Sequence, residues 1–379
     1  MAISALGLLF GDVLSMLAAF FPDKFPVNLV LLEFLVGGLT GTFSTTMATI
    51  LAYAADCTEA DTRLSTFSRL HACMYVGQAV GPAIGGIWVR YVGRGDFLSV
   101  FYAAIVCHSA FVLFVLVGIK ETSPKTASRN LKTETGLGPR RPPSKIQKCL
   151  SACNILGPLA ILRRKRESSS RHGRSLNLML LASIDSICFG VQLGLTSVLI
   201  LYSESTLGWK TMEASVFVSL SNATRVLVLV ALMPFVSRVA RSTLLDPGTS
   251  HSHGAVGASL TSMSFSIRAI QGAIFLEILS YLGFALVKDT VLFTLCGILA
   301  AAGAPASPTI QSLMTTAADA DVGELLGAVS LLHAIAKGLI PAAMQLCYSV
   351  TVNDAPETVF WALGGLFACT FLLSLRMRC

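Results

Sequence analysis

The sequence predicts an all-α membrane protein, a helical bundle of about ten transmembrane helices split four and six by a long basic linker. Three observations predict it. Of 379 residues, 54% are hydrophobic and only 13% charged, with a mean hydropathy of +0.70; soluble domains average about 25% charged residues. Ten runs are long and apolar enough for a span, which needs about 20 residues. Finally, 14 of the 28 Lys and Arg residues fall between Lys120 and Arg174. Such clustering explains the net charge of +7 without invoking nucleic acid.

The first four spans are expected at 2–21, 27–55, 66–89 and 97–119. The second is long enough to tilt or to extend past the bilayer. Residues 120–175 are rich in Lys, Arg, Ser, Thr and Pro, a composition that cannot bury a core, so disorder is expected there. The linker's later "CLSACNILGPLAILRRKR" is too short to span and fits a helix on the membrane surface. Six more spans follow at 176–202, 213–237, 267–287, 290–314, 325–350 and 358–375, with a second polar insert at 241–266. The chain therefore divides into an N-terminal half (1–119), the linker (120–175) and a C-terminal half (176–379). Basic loops stay in the cytoplasm. Placing the linker there puts both termini inside, with 21 Lys and Arg on that side against 5 outside.

One span breaks the usual helix rules. "YVGQAVGPAIGGIWVR" carries Gly77, Gly81, Pro82, Gly85 and Gly86. Each interior Gly costs roughly 1 kcal/mol relative to Ala, and Pro roughly 3. Gly77, Gly81 and Gly85 recur every four residues and form one smooth stripe, which in lipid lets two helix backbones approach closely. Ordinary packing and a gating role both fit that stripe.

Ionisable groups inside spans are expensive and usually face a cavity or a partner. Asp185, Arg225, Glu277 and Lys337 all fall near the middle of C-terminal spans, with His333 one turn from Lys337 on the same face. The set fits a site in which Arg225 and Lys337 hold an anionic group while Asp185 or Glu277 carries a proton. Fixed ion pairs, such as Arg225 with Asp185, are the alternative. Asp12 in the first span is a further candidate. His71 and His108 read as hydrogen-bonded structural residues, and Asp56, Asp61 and Arg63 as loop charges between the second and third spans.

Ten scattered Cys give neither a disulfide framework nor zinc spacing. Cys149 and Cys153 are open to palmitoylation or are ordinary thiols. The pair His251 and His253 has no further ligand nearby in sequence, and Asn222-Ala-Thr lies in a span, out of reach of glycosylation. No metalloprotease, hydrolase or nucleotide-binding motif occurs, so no enzyme and no cofactor are expected.

Two stretches, "AYAADCTEADTRLSTFSRLHACMYVGQAVGPAIGGIWVRY" and "SPTIQSLMTTAADADVGELLGAVSLLHAIAKGLIPAAMQLCYS", carry a family resemblance. The first resembles the fourth-to-fifth helix region of drug:proton antiporters of the tetracycline-exporter type, with A-x-x-A-D, an acidic loop, an Arg and G-x-x-x-G-P-x-x-G-G. It is also similar, over part of its length, to the proton-coupled folate transporter group. The second resembles fungal members of the same major facilitator superfamily. That family's plan is two six-helix halves joined by a linker, with substrate near the midplane. By this resemblance the first span aligns with a third helix. The expectation is then a chain without the first two helices and an incomplete N-terminal half.

The resemblance implies a secondary active transporter moving a small organic solute or drug by alternating access, with proton coupling as an option. It also implies a fifth helix whose glycine stripe packs on the eighth at the boundary of the halves. Asp56, Asp61 and Arg63 would then lock the inward-closed state. The alternative is a truncated or non-transporting receptor or scaffold on the same fold. The expected partners are a small-molecule substrate, protons as an option, and lipid, with the chain a monomer in a plasma or vacuolar membrane.

Overall fold

The computed structural model describes residues 1–21, 24, 28–92, 98–119, 159, 172–233, 254–317 and 322–377. Most of the linker, with Cys149, Cys153 and the expected surface helix, lies outside the described residues, as do His251 and His253.

Twelve α-helices make up the described chain, and it contains no strand. In the N-terminal half they are α1 (Ala2–Phe20), α2 (Leu29–Thr40), α3 (Thr42–Cys57), α4 (Ala60–Ile87) and α5 (Leu98–Gly118). The C-terminal half holds α6 (His172–Thr206), α7 (Thr211–Leu227), α8 (Gly254–Leu286), α9 (Thr290–Ala301), α10 (Ala306–Ala317), α11 (Val322–Thr351) and α12 (Thr358–Leu375). π-helical turns extend α4 over Trp88–Val92 and α7 over Val228–Leu232.

Two expected spans are each a pair of helices. Gly41 separates α2 from α3 with φ of 94°, a left-handed backbone that suits Gly. The turn at 302–305 separates α9 from α10. Among the described residues nine segments are long and apolar enough to cross a membrane. They match nine of the ten expected spans. The tenth, 66–89, lies on α4, whose 28 residues reach about 42 Å. Its Arg63, Arg69, His71, Gln78 and glycines dilute its apolar character. The insert expected at 241–266 is helical from Gly254 onward, so α8 begins well before the span read from the sequence.

Local chemistry sets several helix starts. Asp289 caps α9, accepting from the N–H groups of Val291 and Leu292 at 3.0 Å each. The Lys210 N–H donates to Glu213 Oε2 at 2.7 Å before α7. Outward positions carry bare apolar side chains, among them Phe34, Leu39, Phe114, Val117, Leu339 and Leu372. For a span this is lipid-facing surface, where apolar exposure costs nothing.

The principal core lies within the C-terminal half, where Tyr202, Phe217, Phe284, Phe293 and Phe360 form an aromatic cluster. Within that half α6 packs along α11 and α8 along α12, and α1 packs with α2 and α5 in the other. The halves meet through two smaller cores. At the end of the bundle where α3 stops and α11 starts, Leu51, Ala54, Ala55 and Phe67 pack on Val322 and Leu326. Deeper in, Ala72 and Tyr75 of α4 pack on Leu229, Met233 and Ala304. Arg63 adds a polar strap at the same end. Its guanidinium donates to the carbonyls of Thr315 (3.1 Å) and Ala55 (3.3 Å). The bundle is thus closed at this end.

Candidate functional site

A cleft of about 640 Å³, mouth included, opens between the halves just beyond the closed end. Phe43, Met47, Leu51, His71, Met74 and Gln78 line it from the N-terminal half. Phe189, Gln192, Ser307, Gln311, Ser330 and His333 line it from the other. Its walls are mostly apolar with a few converging polar groups, the composition of a ligand site.

Asp185 lies on α6 behind the cleft wall, fully buried and bonded to the lining residues Ser307, Gln311 and His333. A buried carboxylate is tolerated only when hydrogen bonds replace its water. Here His333 Nε2 sits 3.0 Å and Gln311 Nε2 3.1 Å from Oδ2, while the Ser307 hydroxyl donates to Oδ1 at 2.5 Å. The helices explain the convergence. Ser307 and Gln311 are four residues apart on α10 and so share a face. Phe189, one turn along α6 from Asp185, stacks flat on the His333 ring with centroids 4.3 Å apart, fixing its plane.

The chain of contacts continues across the halves. Gln311 Oε1 lies 2.9 Å from His71 Nε2, a nitrogen on α4. An amide oxygen only accepts, so with this amide orientation His71 carries its proton on Nε2. His71, Gln311, Asp185 and His333 therefore form one network spanning four helices. Gln311 links the Asp185–His333 pair to His71 through its two amide ends.

A second cleft of about 470 Å³ adjoins the first and shares Gln78 and Gln192 with it. Arg225 lies in its wall with Ser221, Asn222, Thr196 and Phe217. The guanidinium rests over the Tyr75 ring at 5.2 Å, and its Nη1 reaches the Tyr75 hydroxyl at 3.5 Å. That hydroxyl also accepts from Gln192 Nε2 at 2.7 Å. Arg225 Nε is buried with no acceptor among the described residues.

The other expected site residues are placed differently. No ion pair joins Arg225 to Asp185 among the described residues; the Asp185 partners are His333, Ser307 and Gln311. Glu277 accepts from the Tyr281 hydroxyl at 2.7 Å and lines neither cleft. Gly303 gives it room, since a Cβ there would meet Glu277 Cγ at 2.6 Å. Lys337 is exposed and lines neither cleft, although it shares a helix face with His333. Asp12 pairs with His108 between α1 and α5, and Ser15 donates to Glu33 nearby. Asp56 is exposed at the end of α3, and the Asp61 and Gly86 side positions fall outside the described residues.

The glycine stripe corrects the packing expectation. The helix bearing it does pack along α7, which stands where the resemblance puts the family's eighth helix, but the residues it buries there include Ala72 and Tyr75 and not the stripe. A Cβ at Gly77, Gly81 or Gly85 would meet no described atom within 4 Å, and Gly77, Gly81 and Pro82 are exposed. Sequence reading missed Gln311, Ser307, Gln192 and Tyr75 and treated His71 as merely structural. Polar residues four apart in an apolar run were the available signal for Ser307 and Gln311.

Comparisons with known proteins accord with this architecture. The family model described as Major Facilitator Superfamily matches residues 1–341. The MFS-type transporter avaJ of Aspergillus versicolor is 28% identical over 96% of this chain and 68% of its own length. An uncharacterized membrane protein of Schizosaccharomyces pombe is 23% identical over 98% of this chain, which spans 64% of it. The efflux pump ustT of Aspergillus flavus is 25% identical over 62% of this chain and 45% of its own. Among solved structures, the human organic anion transporter MFSD10 (TETRAN) superposes with a TM-score of 0.68 at 17% identity, over 99% of this chain and 76% of that one. A bacterial homologue of the iron transporter ferroportin, in an outward-facing state, gives 0.58 at 13% identity, over 99% and 82%. The all-helical bundle, its nine membrane-length apolar segments among the described residues and the family match over most of its length show that this chain is an integral, multi-pass membrane protein of the Major Facilitator Superfamily.

Proposed function

We propose that this chain acts as a secondary transporter, moving a small organic solute by alternating access through the cleft between its halves. One observation carries the reading. The cleft is walled by both halves, and behind its Ser307, Gln311 and His333 lies a buried carboxylate whose hydrogen-bond network crosses from one half to the other. A change of occupancy or proton count there acts directly on the contact between halves. The transporter and efflux-pump relatives support the class of activity.

In this reading Asp185 and His333 are the proton-carrying pair, Gln311 relays their state, and His71 receives it. The bundle end closed by Arg63, Leu51, Phe67 and Leu326 is the cytoplasmic one, since the basic linker and both termini are assigned there by charge. The cleft is then open outward, and the protein works as a monomer.

The experiment uses the full chain in proteoliposomes with a radiolabelled solute panel. Uptake or efflux should follow an imposed pH gradient, and Asp185→Asn should abolish gradient-driven accumulation while leaving solute exchange. Exchange and accumulation both unaffected by Asp185→Asn would reject the coupling role. No movement of any solute under any gradient would reject transport.

A further inference from the structure

We infer that the two adjoining clefts form one two-lobed site for an amphipathic organic anion, with an aromatic or polycyclic body in the first lobe and its acidic group on Arg225 in the second. The inference rests on the transport reading for the location of the site and goes beyond it in naming the substrate class.

The argument begins with the counter-ion problem. A guanidinium inside a membrane span is retained where something balances it. Among the described residues no carboxylate forms an ion pair with Arg225. Asp185 is already held by His333, Ser307 and Gln311. Glu277 is held by Tyr281 and attracts Arg225 only from beyond ion-pair distance. What Arg225 does have is a ring face, one hydroxyl at 3.5 Å and a buried Nε with no acceptor. Its capacity for a planar, bidentate acceptor is unspent, which is the geometry of a carboxylate or a sulfonate.

The lobes differ in chemistry. Around Arg225 the second cleft offers Ser221, Asn222 and Thr196, groups able to surround an oxyanion. The first cleft presents Phe43, Met47, Met74 and Phe189, a soft and largely apolar wall suited to a flat hydrophobic body. Gln78 and Gln192 belong to both linings, so the lobes are contiguous. Gln192 also donates to the Tyr75 hydroxyl beneath Arg225, tying the wall of one lobe to the cation of the other. A cationic solute would meet Arg225 directly, and a purely polar one would leave the apolar lobe wet.

The test uses the full chain in lipid nanodiscs and three probes of one shape: naphthalene-2-carboxylate, 2-naphthamide and 2-naphthylmethylammonium. The carboxylate should bind about tenfold or more tighter than the amide, with the ammonium weakest. Arg225→Gln should erase the carboxylate's advantage, and Arg225→Lys should keep part of it. Phe189→Ala should weaken the carboxylate and the amide by a similar factor. Equal binding of carboxylate and amide, a preference that survives Arg225→Gln, or no binding of any probe would overturn the inference. If Arg225→Gln does not fold, the wild-type ranking with Arg225→Lys decides, and a neutral or cation preference overturns it. Exchange assays in proteoliposomes separate this from the transport reading. A carboxylate bound through Arg225 while no solute of the panel is exchanged refutes transport and leaves the anion site standing; amide and carboxylate bound and exchanged equally do the reverse.

Discussion

Two glycine pairs in this chain share one spacing and opposite fates. Gly190 and Gly194 of α6 stand four residues apart, as do Gly77 and Gly81 of α4. A Cβ on Gly190 would lie 3.0 Å from the Ala336 carbonyl oxygen, and one on Gly194 2.9 Å from Pro341 Cα. These are backbone atoms of α11, so the two helices touch where only Gly fits. A Cβ on Gly77 or Gly81 would touch nothing described within 4 Å. The first pair lies inside one half, the second on a helix that meets the other half further along, at Ala72 and Tyr75. Small residues at helical spacing permit close approach. They do not reveal whether a partner helix takes it up. Within a half the approach is made; on the open stretch of α4 the surface is left smooth.

The largest effect expected from this contrast is at Gly194. Gly194→Leu puts a branched side chain into Met344, which can swing aside, and into the Pro341 backbone, which cannot yield without moving α11. Expression in membranes should collapse, or the thermal midpoint in detergent should fall further than for any substitution on Gly77, Gly81 or Gly85. An unchanged midpoint would mean that α6 and α11 do not meet here. Gly190→Ala is a milder probe of the same seam. Its nearest neighbour is the flexible end of Ile340 at 2.6 Å, with the Ala336 carbonyl at 3.0 Å behind it. Overpacking of this kind costs about 1–3 kcal/mol. Denaturation of the purified variant should show a loss in that range.

How much of this was legible in the sequence follows from the type of residue. Charged residues in apolar runs stand out, so Asp185, Arg225 and Glu277 were singled out, and His333 with them. Their partners did not stand out. Gln311, Ser307, Gln192 and Tyr75 are neutral and common in spans, and their importance comes from which helices lie side by side. An ion pair of Arg225 with Asp185 satisfied the charge count but not the packing: Asp185 points into the α10 and α11 side, Arg225 toward Tyr75. Depth along a span was readable from residue number, whereas direction around the helix was not. Lys337 shows this, with the expected depth but an exposed side chain. The helical class and nine of the ten spans followed from hydropathy alone. The breaks at Gly41 and at 302–305 did not, since they fall within continuous apolar runs.

The next prediction probes the place where α4 does meet the other half. Tyr75→Phe keeps the ring under Arg225 and removes the hydroxyl that accepts from Gln192 and Arg225. The lost hydrogen bonds cost about 0.5–1.5 kcal/mol in stability. The effect should exceed that of any open-stripe change, and a loss no larger than a surface change would show that the hydroxyl contact is idle.

Gly81→Leu is the sharpest test because its expected effect on stability is the smallest. In the described state the new side chain enters open space beside an already exposed Pro82. Replacing an interior Gly also removes a helix penalty of roughly 1 kcal/mol. The thermal midpoint should therefore hold or rise slightly, within the ±0.5 kcal/mol typical of surface changes apart from that gain. Activity is a separate matter. If the cycle brings the open stretch of α4 against the other half, the same leucine obstructs that second state and solute exchange should fall while stability does not. Unaltered stability with unaltered exchange would make the stripe a lipid-facing surface. A large loss of stability would mean that a helix covers Gly81 in the resting protein, and the contrast with Gly194 would disappear. Measuring midpoint and exchange on one preparation separates the three cases, since each moves a different pair of readings.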